Sequence, residues 1–252
     1  MGRIFGTDGA RGVANTEISC SLAMDIARAA AMVVAKKKHK EHPLFLVGSD
    51  TRISRHMLIG SIAAGLCSVG AEVVALGIVP TPAVAYLVKE MGADGAVMLS
   101  ASHNSYEFNG IKIFGSDGFK LTDEEEFAIE EIVLDHVLPY DVKWGEEIGS
   151  IKEDFSAVDK YIEHIAETVS SKNLSGQKVL VLGSGGASNT AVEALEQMGA
   201  MPVVISRSGE NNYENLHLHA DADLIINATP VGMFPRCGES PVDLRAQLPI
   251  LF

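Results

Sequence analysis

The sequence predicts a layered α/β protein built on a largely parallel sheet. Three observations carry this. Short apolar runs of strand length alternate along the chain with stretches whose apolar residues recur at helical spacing. Glycine outnumbers proline 24 to 9, which suits many tight strand-to-helix turns. Aromatic residues make up only 6%, so the core must be packed from Ala, Val, Ile and Leu. With 252 residues the chain has room for one large domain or two small ones.

Taken in order, residues 21–38 place Leu22, Ile26, Ala29, Ala30 and Val33 on one helical face, and the basic run from Lys36 to Lys40 suits a solvated C-terminal end. Residues 44–47 follow Pro43 as a buried strand. Residues 54–69 are helical with Leu58, Ile59, Ala63 and Leu66 inward, and 73–76 are a strand. Thr81 and Pro82 open a helix that runs to Met91, since proline in the first turn lacks only an N–H that has no partner there. Residues 96–99 and 110–114 are two more strands. Thr122 and four acidic residues open a helix over 121–137, matching its cap and its dipole. Residues 139–154 carry a proline, Trp144, two glycines and several charges, and read as a linker. An amphipathic helix over 155–169 and a polar break over 170–176 follow. Residues 178–182, 187–198, 202–206 and 224–228 then form a second β-α-β-(α)-β series. The expected division is 1–140, a linker plus helix over 141–173, and 174–252.

The net charge of −13 disfavours phosphate backbones and anionic membranes, so nucleic-acid binding and membrane binding are not expected. A local cationic pocket for a small phosphorylated ligand is compatible with it. Three scattered cysteines, Cys20, Cys67 and Cys237, make neither a disulfide framework nor a cysteine-rich metal site. No apolar run is long enough to span a membrane, and the first residues lack a secretory apolar stretch, so a reducing cytoplasm is the expected compartment.

The most chemical stretch is Leu99-Ser100-Ala101-Ser102-His103-Asn104, directly after a buried strand. Strand ends of this kind carry the chemistry of α/β sheets. A serine beside a histidine suits a phosphorylated or acylated nucleophile, and a polar turn with a capping serine fits the six residues equally. No Gly-x-Ser-x-Gly turn occurs, so a hydrolase triad is not supported.

Three further stretches resolve that choice: Phe5-Gly6-Thr7-Asp8-Gly9-Ala10-Arg11-Gly12, Val47-Gly48-Ser49-Asp50-Thr51-Arg52 and Val79-Pro80-Thr81-Pro82-Ala83. With Ser102-His103-Asn104 and Asn109-Gly110-Ile111-Lys112, they make residues 1–170 resemble the first, three-layer α/β/α domain of the α-D-phosphohexomutase superfamily. The resemblance implies a phosphoserine mechanism in which Ser102 passes its phosphoryl group to a sugar phosphate, converting glucosamine 6-phosphate to glucosamine 1-phosphate. It places Arg11 and Lys112 near the phosphoserine. Charge there would steady the transferring group, and Lys112 and His103 are the candidates for moving the proton. His103 reads equally as a turn residue, and Arg52 reads first as a loop anchor through Asp50 or Asp8. Ser105 stands where most members have proline. The resemblance also implies Mg²⁺, held by the phosphate on Ser102 and by three aspartates of an Asp-Gly-Asp-Gly-Asp-Arg loop. Neither that loop, nor the Gly-Glu-x-Ser-Gly sugar loop, nor the arginine-rich phosphate loop occurs here, so mutase turnover by these residues alone is not expected.

The second half reads differently. Val179-Leu180-Val181-Leu182-Gly183-Ser184-Gly185-Gly186-Ala187 is a strand, a glycine-rich turn and a helix start, a pattern that cradles a pyrophosphate at a helix N-terminus. The next strand ends in Ser206-Arg207-Ser208, where a basic residue suits the 2′-phosphate of NADP. With Asn227-Ala228-Thr229-Pro230-Val231-Gly232-Met233, these residues are similar to part of the Rossmann-like NADP-binding domain of shikimate dehydrogenases. That similarity implies Gly183, Ser184, Gly185, Gly186 and Ala187 at the pyrophosphate, Ser206, Arg207 and Ser208 at the 2′-phosphate, and Thr229 near the ribose. The whole chain therefore reads as a hybrid of two partial enzymes. Its truncated second sheet and apolar end over 248–252 are expected to favour self-association.

Overall fold

A computed structural model describes residues 3–168, 173–233 and 237–243. The chain forms two compact units, Met1–Ile165 and Ala166–Phe252. Among the described residues, no helix is long and apolar enough to cross a membrane.

The first unit is built on a seven-stranded sheet. Its strands are β1 (Phe5–Gly6), β2 (Gly9–Val13), β3 (Leu44–Ser49), β4 (Glu72–Ile78), β5 (Gly95–Leu99), β6 (Phe108–Gly115) and β7 (Ile151–Glu153), in the spatial order β1-β2-β6-β5-β3-β4-β7. Five helices accompany them: α1 (Cys20–Lys38), α2 (Arg55–Ser68), α3 (Thr81–Glu90), α4 (Asp123–Leu134) and α5 (Ala157–Glu167).

The sheet is less parallel than the sequence predicts. The β3, β4, β5 and β7 pairings are parallel, but β1–β2, β2–β6 and β6–β5 are antiparallel. Strand–helix alternation specifies a parallel crossover only where a helix intervenes. No helix lies between β5 and β6, and a loop there lets the chain turn straight back. The expected linker over 139–154 is corrected too, because residues 151–153 add to β4 as an edge strand. Their side chains are all exposed, so no apolar pattern betrays them.

Alternation along the strands sorts the core into two layers. Phe45, Val47, Val97, Leu99, Ile111 and Ile113 face α1, α2 and α4, whereas Leu46, Leu76, Ala96 and Met98 face α3 and α5. The helix ends follow local chemistry. Ser19 Oγ accepts from the Leu22 N–H at the start of α1, and three lysines occupy the last turn. Thr122 and Glu125 cap α4 reciprocally. On α4, Glu130 is almost fully buried, and its Oε1 accepts the N–H groups of Ile4 and Phe5 at 2.6 and 2.9 Å, pinning the N-terminal strand. Burial pushes the Glu130 carboxyl upward, but these backbone donors outweigh it and hold the group below the usual carboxylate range.

The second unit carries β8 (Lys178–Leu182), α6 (Gly186–Gln197), β9 (Met201–Ile205) and β10 (Leu224–Asn227), with all three strands parallel in the order β10-β8-β9. The central strand β8 is buried on both faces, by Leu180 and Leu182 on one side and by Val179 and Val181 on the other. Residues 248–252, on which the expected apolar end falls, lie outside the described residues.

Candidate active site

The strand ends of the first unit gather the residues singled out from the sequence. β5 ends at Leu99, and the Ser100 N–H donates to the Gly110 carbonyl at 3.0 Å, so the chain leaves the sheet still tied to β6. Ser100 Oγ then accepts from the Ser102 N–H at 3.0 Å. Ser102 is exposed and has φ +57°, a left-handed conformation that costs a serine about 1–2 kcal/mol. Such strain persists only where the surroundings over-determine it.

Arg52 supplies those surroundings. It follows β3 and is only 9% exposed. Its Nε donates to Asp50 Oδ2 at 3.0 Å. Its Nη2 donates to the carbonyls of Ser102 and Asn104 at 3.1 and 2.8 Å. Its Nη1 donates to the Phe108 carbonyl at 3.0 Å and to that of Ser105. Asp50, not Asp8, is thus the carboxylate that anchors Arg52. Asp50, Thr51, Arg52, Ile53, Ser102, Asn104 and Tyr106 line an open cleft of about 590 Å³.

Arg11 and Lys112 meet on adjacent strands. Arg11 on β2 stands opposite Gly110 on β6, and Lys112 is two residues further along the same face. The glycines make this possible. A side chain at Gly110 would collide with the Ser100 carbonyl at 2.8 Å and the Arg11 stem at 3.0 Å. One at Gly9, where φ is +90°, would lie 2.4 Å from the Ile111 carbonyl oxygen. Arg11 Nη2 pairs with Asp8 Oδ2 at 2.8 Å, while its Nε is buried without a partner. Burial pulls the Lys112 ammonium below the ordinary lysine range, and the charge of Arg11 adds to this against Asp8 and Asp50. His103 is exposed on the loop. Ser100 and the saturation of Arg52 escape sequence reasoning, because neither residue type announces which backbone groups it will meet.

The residues do not fit the implied Mg²⁺. Among the described residues, no three His, Cys, Asp or Glu side chains are grouped to hold a metal ion. Asp8 and Asp50 are already engaged by Arg11 and Arg52.

In the second unit, Gly183 follows β8 with φ +108°, and a side chain there would press on Ala228 and Thr229 at 3.1 Å. Ser184, Gly185, Gly186 and Ala187 are exposed at the start of α6, and nothing lies within 4 Å of a side chain placed on Gly185 or Gly186. Ser206 is buried, and Arg207 and Ser208 are exposed beyond β9. Thr229 is turned inward locally, its N–H and Oγ both donating to Asn227 Oδ1.

The first unit is thus a mixed-sheet α/β domain that carries an exposed, left-handed serine on the loop after β5. A family model, "Phosphoglucomutase/phosphomannomutase, alpha/beta/alpha domain I", matches residues 2–137, and the chain belongs to this family. Phosphoglucosamine mutase of Acetivibrio thermocellus is 49% identical over 207 residues, covering 82% of this chain and 46% of that protein. The enzyme of the same name from Caldicellulosiruptor saccharolyticus is 45% identical over 233 residues, covering 87% and 50%. The chain spans about half the length of the curated relatives it matches. Residues 1–173 are about two-thirds of the chain, so both matches run on into the second unit. A phosphoglucomutase/phosphomannomutase family protein of Burkholderia thailandensis superposes with TM-score 0.60 at 25% identity, covering 80% of this chain and 43% of that one. Shikimate dehydrogenase 1 of Peptoclostridium difficile reaches only 0.31 at 18% identity, covering 79% and 72%, which carries no assignment.

Proposed function

We propose that this chain carries the phosphoryl-accepting step of a phosphoglucosamine mutase, with Ser102 as the acceptor and a phosphorylated amino sugar or hexose as the partner. The observation that carries this reading is the exposed Ser102, held left-handed at a strand end in the unit where Arg11 and Lys112 converge. Ser102 Oγ attacks the phosphorus of a sugar bisphosphate. The new Oγ–P bond forms as the bond from phosphorus to the sugar oxygen breaks. Lys112, with its lowered pKa, takes the serine proton and returns it to the departing sugar oxygen. Arg11, whose partly exposed guanidinium is engaged by Asp8 through Nη2 alone, donates to a phosphoryl oxygen and steadies the charge that gathers there. The product is phospho-Ser102 and a sugar monophosphate. Three free cysteines suit a reducing cytoplasm as the compartment.

The test is intact-mass spectrometry after incubation with glucose 1,6-bisphosphate. The chain is expected to gain one phosphoryl group and Ser102→Ala none. A folded wild-type chain that gains nothing overturns the reading.

A second reading concerns the second unit, where the open glycine turn at the start of α6 fits a nucleotide pyrophosphate. Gly183 to Ala187 would hold the pyrophosphate and Arg207 the 2′-phosphate of NADP. When bound, that cofactor supplies hydride transfer. Titration calorimetry with NADPH is expected to show binding that Arg207→Ala weakens. No heat with the wild-type chain, or an unchanged affinity in the variant, contradicts this second reading.

A further inference from the structure

We propose that Arg52 is the positioning residue of the Ser102 loop: it fixes the backbone of the nucleophile by gathering the loop carbonyls, and it makes no contact with the transferred phosphoryl group. The inference rests on the reading of Ser102 as phosphoryl acceptor.

A guanidinium has five N–H donors and no acceptor. At Arg52 all five are engaged: Nε by Asp50, Nη1 by the Ser105 and Phe108 carbonyls, Nη2 by those of Ser102 and Asn104. A phosphoryl oxygen can reach Arg52 only by displacing one of these bonds. Asp50 also offsets its charge at 3.0 Å, and the side chain is nearly buried. Arg11 is the opposite case: its side chain is about a quarter exposed, and Asp8 engages it through Nη2 alone, leaving Nη1 without a bond among the described residues. The two arginines therefore divide the work. Arg11 has a donor to offer the substrate, and Arg52 has none.

The convergence also accounts for the strain at Ser102. The carbonyls of Ser102 and Asn104 reach the same Nη2, so the chain between them turns tightly, and Ser102 takes φ +57°. The Ser102 N–H is meanwhile held by Ser100 Oγ, which leaves little freedom on either side of the nucleophile. Lysine cannot replace this clamp. Its three donors radiate from one nitrogen and cannot span four carbonyls and a carboxylate.

The test follows phosphoryl gain by the full chain over a range of glucose 1,6-bisphosphate concentrations, comparing wild type with Arg52→Lys and Arg52→Ala. Arg52→Lys is expected to slow the limiting rate on the order of a hundredfold through misplacement of the nucleophile, with the half-saturating concentration unchanged. Added guanidinium ion is expected to restore part of the rate to Arg52→Ala. An unchanged limiting rate overturns the proposal. So does a raised half-saturating concentration at an unchanged rate, because that places Arg52 on the phosphate. A wild-type chain that gains no phosphoryl group defeats the reading of Ser102 instead. Hydrogen exchange then decides on Arg52 by itself. Faster exchange of the amides of residues 103–107 in Arg52→Lys, with the α1 amides still protected, supports the clamp. Unchanged exchange in that loop overturns it.

Discussion

Strands β3 and β10 begin with nearly the same material, Leu-Phe-Leu-Val and Leu-Ile-Ile-Asn, yet they meet different fates. From Phe45 onward β3 is fully buried, whereas Leu224 is exposed and Ile225 and Ile226 are half-covered. The difference lies in the neighbours. β3 sits between β5 and β4 with helices on both faces, and among the described residues β10 is an edge strand of a three-stranded sheet. An apolar run thus specifies a strand, but the surrounding layers decide how much that strand contributes. It follows that the first unit can hold a strained residue such as Ser102 in place, while the second presents its glycine turn in open space.

Core truncation probes this contrast with the largest effect. Leu46→Ala is expected to destabilise the first unit by about 2–5 kcal/mol, and Leu224→Ala to cost less than about 1 kcal/mol, read from denaturant unfolding. Equal losses would break the comparison. Glycine substitution sharpens it near the sites. Gly9→Ala forces a side chain onto the Ile111 carbonyl at positive φ and is expected to cost about 3 kcal/mol. Gly185→Ala meets open space and is expected to leave stability within about 0.5 kcal/mol.

Glu130 tests how the N-terminal strand is held. Removing its two bonds to backbone N–H groups, as in Glu130→Ala, is expected to cost about 2 kcal/mol. The sign of its pH dependence follows from a folded pKa below the unfolded one. Its stabilisation is complete above the ordinary glutamate pKa of about 4.3 and is lost as the pH falls through the folded value. Thermal melts should therefore show the advantage of wild type over Glu130→Gln shrinking only on the acid side. One substitution at the site is expected to give a gain. Ser102→Gly relieves the left-handed strain and is expected to stabilise the first unit by about 0.5–1 kcal/mol while abolishing phosphoryl gain. A loss of stability would show that Ser102 is not strained.

Periodicity revealed the long elements. α1 to α4 and β3 to β5 lie where their apolar spacing put them, to within a few residues at the ends. The missed strands had nothing to read. β2 is Gly-Ala-Arg-Gly-Val and β7 is Ile-Lys-Glu, with no apolar run in either, and their pairing comes from the neighbours they complete. The antiparallel half of the sheet was illegible for a related reason, since strand direction is set by connections and leaves no mark on composition. At the site, Ser102, Lys112 and Arg11 stood out because a nucleophile and cations near strand ends are chemically conspicuous. The role of Arg52 was half legible. A loop-anchoring arginine could be read, but not which of Asp50 and Asp8 is its partner or that four carbonyls use up its donors.

The central claim is that phosphoryl chemistry resides at Ser102 and depends on Lys112 for its proton. Phosphopeptide mass spectrometry, following Ser102 occupancy with time between about pH 6 and 9 in the wild-type chain and in Lys112→Arg, tests both parts together. The expected result is modification at Ser102 alone, at a rate that rises with pH as Lys112 loses its proton and that stays low in the variant. Phosphate on another residue, or none in a folded chain, would contradict the account.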